Sequence, residues 1–291
     1  MFKEITDQYE LPSILKNRSD VTHLILGDAH CGSRTGLLPP NILNKRGVEV
    51  TQSQTQKNIW NQLVANLKNV GKVDVLIVGG DWVEGKQIHA AGLDLHDSDT
   101  DVQVKIGVES LKRICEISQP DYILFVEGTD YHIARGVGGV LDYQVAQLLG
   151  ATLDIPIYYG TTLNVKIGEL VWNIEHRIAI SNTFKLRVFE KIFDFYRRDF
   201  DAQRINVIPD VIVRFHHHVA QTPIRIEHSR WAIRGGCLKE KDTYLQKQSY
   251  PSNPDLGIMI VRQNGEYLDE VDYCRCREEW DSILRFEHLK Y

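Results

Sequence analysis

The chain has 291 residues, 43% of them hydrophobic and 25% charged, with a net charge of −5 and a pI near 6.1. That composition excludes disordered and fibrous classes, and the length suffices to bury a sizeable core without disulfide support. The negative balance gives no global basic field for nucleic acid, although bound cations would supply positive charge locally.

Apolar runs of strand type alternate with helical patterns along the chain. His23–Leu26 reads as a short strand ending at Gly27-Asp28. Residues from about Ser53 to Leu67 read as a helix burying Ile59, Trp60, Leu63 and Leu67. Val73–Val78 has parallel-strand character and ends at Gly79-Gly80-Asp81. Asp101–Ile117 is helical, Tyr122–Val126 is a strand ended by Gly128, and Leu141–Leu149 is helical. Strands follow at Asn164–Ile167 and Leu170–Ile174, then an amphipathic helix over Thr183–Phe200. Val211–Phe215 is a strand leading into three consecutive histidines. Pro223–His228, Trp231–Arg234 and Gly257–Arg262 read as antiparallel strands, and Asn264-Gly265 as a hairpin turn. The pattern predicts an α/β fold, a mixed-sheet sandwich flanked by helices, as one domain over residues 1–291.

Cys31, Cys115, Cys237, Cys274 and Cys276 are odd in number and irregularly spaced, so free thiols are expected rather than a disulfide framework. The N-terminal MFKEITDQYE has no apolar segment of signal-peptide type. No apolar run approaches the ~20 residues that span a bilayer. A soluble, cytoplasmic protein without membrane contact is expected.

The polar clusters fall just past strand ends, the edge at which α/β sheets bind ligands. Gly27-Asp28-Ala29-His30 offers a carboxylate and an imidazole two residues apart, which point the same way on extended backbone. Gly80-Asp81 follows a buried strand, and Glu84 comes three residues later. Gly128-Thr129-Asp130-Tyr131-His132 offers oxygen ligands and an imidazole in one loop. His176 lies past Leu170–Ile174, and strand alternation sends His216 and His218 to one side and His217 to the other. Each signal alone is commonly a polar turn or a structural histidine; together they are far more specific than any one of them.

The order Asp-x-His, Gly-Asp, Gly-(x)-His, His, His-x-His resembles the calcineurin-like metallophosphoesterase family, over about Leu24 to Val219. The run Gly27–Pro40, GDAHCGSRTGLLPP, is similar to phage and archaeal members. The resemblance implies a four-layer αββα fold and a dinuclear centre. Asp28, His30 and His218 would hold one ion, Asp81 would bridge, and His176 and His216 would hold the second. Such nitrogen and carboxylate ligands suit manganese, iron, zinc or nickel. His132 would be the general acid, with Glu84 orienting it. Thr129 and Asp130 are candidates for the family's Asn ligand, Asp130 being favoured, and Arg135 is a candidate phosphate contact. Phe215 stands where the family has glycine.

The implied reaction is hydrolysis of a phosphoester by hydroxide generated at the metal pair, with a nucleotide or nucleic-acid diester as the preferred class of substrate and partner. The alternatives are a catalytically inactive scaffold on the same fold and a phosphomonoesterase resembling protein phosphatases. His89, His96 and the basic residues of Thr183–Phe200 read more simply as solvated loop and helix face. The sequence leaves the oligomeric state open.

Overall fold

The computed structural model describes residues 1–7, 10–87, 92–129, 140–177, 185–227, 230–242 and 253–277. Thirteen strands in two mixed sheets and four helices are present among them. The first sheet has the order β1 (Phe2–Glu4), β6 (Ile157–Gly160), β5 (Tyr122–Val126), β4 (Val75–Val78), β3 (Asp20–Leu26), β12 (Gly257–Asn264), β13 (Tyr267–Arg275). The second has the order β10 (Gln221–Glu227), β11 (Arg230–Arg234), β9 (Val211–Arg214), β8 (Leu170–Glu175), β7 (Thr162–Ile167), β2 (Ser13–Ile14).

Side-chain alternation builds the layers. On β3, Leu24 and Leu26 join a core shared with α1 (Gln54–Val70), α2 (Thr100–Ser118) and α3 (Val140–Thr152). Ile25, from the same strand, faces Trp172, Val211 and Val213 of the second sheet. On the far side, Ile212 and Ala232 pack on Phe189 and Phe193 of α4 (Lys185–Asp201). The order is therefore helices, sheet, sheet, helix, which is the αββα arrangement expected. No described helix is long and apolar enough to cross a membrane.

α1 begins where Ser53 accepts from the Gln56 backbone N–H and Gln56 returns a bond to Ser53, a reciprocal cap. Strands β3, β4 and β5 are parallel neighbours, as are β8 and β9. Their C-terminal ends carry Asp28, Asp81, Thr129, His176 and His216. One sequence expectation is corrected: β11 is antiparallel to β10 but parallel to β9, because it slots between the two. The strands β1, β2 and β6 were not expected from the sequence.

Candidate metal centre

The loops leaving β3 and β4 run side by side, tied by backbone bonds. Asp28 N–H donates to Gly80 O, His30 to Asp81 O, Cys31 to Trp82 O and Glu84 to Cys31 O, all at 2.8–3.0 Å. This lacing brings Asp28, His30, Asp81 and Glu84 together. Asp142, on the first turn of α3, accepts from Trp82 N, Val83 N and Gly128 N at 3.1, 3.3 and 3.1 Å. It thereby pins the β4 loop to the β5 loop. Burial and the nearby Asp81 raise its carboxyl to about 7.

Two triads result, Asp28–His30–His218 and Asp81–His176–His216, each with its ligand atoms within 4.8 Å of one another. The expected geometry of the loops is corrected. Asp28 and His30 do not lie on extended backbone; both have φ 47°. His216 and His218 have φ 77° and 54°, so simple alternation does not place them. They diverge, His216 toward Asp81 and His218 toward Asp28. His217 stays outside both triads, and burial lowers its imidazole to about 4.

The donor chemistry fits cations. Nδ1 of His30 lies 2.8 Å from Glu84 Oε2, and Nδ1 of His176 faces the Gly79 carbonyl. The carbonyl only accepts, so a neutral His176 carries its proton on Nδ1 and turns the Nε2 lone pair into the cluster, while at His30 the Glu84 carboxylate lies against the far nitrogen. His30 Nε2 is 3.2 Å from His218 Nε2, and His176 Nε2 is 3.3 Å from His216 Nδ1. A tetrahedral ion with bonds of ~2.0–2.1 Å would space its ligands ~3.3–3.4 Å apart. Asp28 Oδ1 is buried and has no hydrogen-bond partner among the described residues. Nitrogens of His218, His30 and His176 converge on it at 3.3, 3.9 and 4.0 Å.

The electrostatics point the same way. Burial opposes protonation of His176, yet Asp81 and Asp28 raise it to about 9. Burial likewise opposes protonation of His218, which Cys237 and Asp28 nonetheless raise well above its ordinary value. Two carboxylates buried this close call for positive charge.

Thr129 is not aimed away from the cluster: its N–H donates to Asp81 Oδ1 at 2.6 Å and its hydroxyl reaches both oxygens at 3.1 and 3.0 Å. Asp130, His132 and Arg135 lie outside the described residues, as does His89. His96 sits against Gln56 Oε1 at 2.9 Å. Phe215 is fully buried. Its ring fills the space over Gly27, Gly79 and Gly235, where any added Cβ would collide with it.

Sequence reasoning missed Lys239, Gln87 and Asp142. Only Asp142 left a signal, an acid on the apolar face that Val145, Ala146 and Leu149 define on α3. Lys239 follows an unremarkable Gly-Gly-Cys-Leu run, and its role is set by tertiary contact alone.

A scan of protein-family models finds no match to this chain, and a search of curated proteins finds none. Among solved structures, a single mutant of Vps29 from Entamoeba histolytica is similar, at 13% identity and a TM-score of 0.40. The match covers 87% of this chain and 98% of that one. A predicted phosphoesterase from Streptococcus pneumoniae matches at 14% identity and a TM-score of 0.38, over 89% of this chain and 91% of its own. The sulfate thiohydrolase SoxB of Thermus thermophilus matches at 14% identity and 0.38, over 92% of this chain and 58% of its own. Likenesses this distant assign neither activity nor substrate.

Proposed function

We propose that this chain is a metal-dependent phosphoester hydrolase whose preferred substrates are phosphodiesters of nucleotides or nucleic acid. One observation carries the reading: two Asp and four His converge from four strand ends as paired triads with ion-sharing spacing. The motif order supports it independently, since it resembles that of calcineurin-like metallophosphoesterases.

In this reading Asp28, His30 and His218 hold one divalent transition ion, manganese foremost, and Asp81, His176 and His216 hold the other. Such ions, when bound, polarise a phosphoryl group and make water nucleophilic near neutral pH. Thr129 fixes both oxygens of Asp81, so that carboxylate does not swing as substrate enters. The Gly79 carbonyl accepts from Nδ1 of His176 and the Glu84 carboxylate lies against Nδ1 of His30, so both rings keep Nε2 turned inward. His132 donates the proton that the leaving alkoxide requires. Arg135 contacts the phosphate.

The test compares bis-p-nitrophenyl phosphate with p-nitrophenyl phosphate, with Mn²⁺ and after chelation. Diester turnover that vanishes on chelation is expected. His132→Ala should keep its metal and lose about 10²–10⁴-fold on substrates with poor leaving groups. Its loss should be smaller when p-nitrophenolate leaves. Turnover of the monoester alone would replace the diesterase reading, and bound metal with no turnover would make the chain a binding module.

A further inference from the structure

The two triads have the same donors but different backing. Behind His176 stands a neutral carbonyl, that of Gly79. Behind His30 stands a carboxylate: Glu84 Oε2 is 2.8 Å from His30 Nδ1. That carboxylate is itself gripped. Lys239 Nζ lies 3.1 and 3.0 Å from its two oxygens, and Gln87 donates to Oε1 at 2.8 Å. Lys239 also pairs with Asp242 at 2.9 Å. Glu84, Gln87, Lys239 and Asp242 are all buried.

An ionised lysine in the interior carries a desolvation penalty of several kcal/mol, recovered only through well-made contacts. Its backbone neighbourhood brings it here: Leu238 N–H donates to Asp28 O and Glu240 N–H to Thr35 O, docking this loop on the β3 loop. The position of the lysine therefore matters to the centre although its contacts are with Glu84 and Asp242. A carboxylate on the far nitrogen raises the basicity of a ligating imidazole and fixes its ring, and losing such a partner typically weakens metal binding 10–100-fold. The surroundings add to this, because His218 is 16% exposed and His216 is 34% exposed, and drier charges interact more strongly.

We infer that Lys239 and Glu84 are positioning residues for His30, and that they make Asp28–His30–His218 the tighter of two unequal cation sites. The inference rests on the reading that both triads hold divalent ions. Lys239 acts through Glu84, which it holds in place by contacts to both carboxylate oxygens.

The experiment is a titration of the metal-free full chain with Co²⁺, followed by calorimetry and by the visible absorption of the bound ion. The wild type should fill in two resolvable steps. Glu84→Gln keeps the shape and removes the charge; it should weaken the first step by about 10–100-fold and leave the second unchanged. Lys239→Met should do the same. The double variant should lose no more than Glu84→Gln alone, which a merely structural lysine would not produce. If Lys239→Met does not fold, as thermal unfolding would reveal, Glu84→Gln still decides. Two wild-type steps with an unchanged first step in Glu84→Gln would overturn the inference alone, as would equal losses in both steps. No saturable cation uptake by the wild type would overturn the metal reading with it.

Discussion

At Asp28, His30, Asp81, His216 and His218 the backbone is left-handed, with φ between 44° and 77°. Five of the six candidate ligands thus adopt a conformation that disfavours any residue with a Cβ, by roughly 1–2 kcal/mol each. Concentrated strain of this kind is a mark of sites whose geometry the surrounding structure enforces. It yields a test at His216, whose side chain is the more exposed of the late ligands. In metal-free protein His216→Gly should be more stable than His216→Ala by about 1 kcal/mol, the reverse of the usual order. Denaturant unfolding of the two variants measures it, and an Ala variant as stable as the Gly one would mean that the loop relaxes freely. The candidate ligands that the structure brings together were legible in the sequence, since Asp-x-His and His-x-His stand out by spacing. The left-handed turns were not, because Asp and His carry no local rule that forces positive φ; at Asp28, His30 and Asp81 they accompany the backbone lacing between the β3 and β4 loops.

Among the elements, β3, β4, β5, β8 and β9 were legible because strands buried on both faces are written as mostly apolar runs. β1 and β2 escaped because they are 3 and 2 residues long, and their pairing with β6 and β7 is a tertiary fact. The ring of Phe215 is accommodated at this level. The end of β9 carries a large ring, and the ends of β3, β4 and β11 answer with Gly27, Gly79 and Gly235. A methyl at Gly79 would overlap the ring, so Gly79→Ala should cost about 1–3 kcal/mol as overpacking. Phe215→Ala should cost about 3–5 kcal/mol as a cavity. The double variant should be more stable than the sum of the two losses predicts, since each change makes room for the other. A strictly additive cycle would mean that the ring and the glycine do not share that space.

For the molecule as a whole, the sandwich is stitched by polar groups as well as by its apolar core. His23, on β3 of the first sheet, stacks 4.2 Å from Trp172 on β8 of the second. Its Nε2 meets Gln263 Oε1 at 3.1 Å, and Gln263 Nε2 reaches across to Ile167 O at 3.0 Å. An amide oxygen only accepts, so His23 is neutral with its proton on Nε2, and Nδ1 is buried with no partner among the described residues. Burial outweighs that hydrogen bond and lowers the imidazole from 6.5 to about 3. The sign follows from linkage. The unfolded chain takes up this proton near pH 6.5 and the folded chain refuses it until about pH 3. The stabilisation is therefore complete above 6.5 and is lost as pH falls between those values, by roughly 1.4 kcal/mol per pH unit. His23→Phe keeps a ring against Trp172 and cannot titrate. Between pH 7 and pH 5, metal-free wild type should lose about 2 kcal/mol more than metal-free His23→Phe. A chelator in both samples excludes any linkage to bound cations, and the other histidines, common to the two proteins, cancel in the difference. Parallel stability curves for the two proteins would show that the His23 ring accepts a proton inside the fold, and that the contact between the sheets opens to accommodate it.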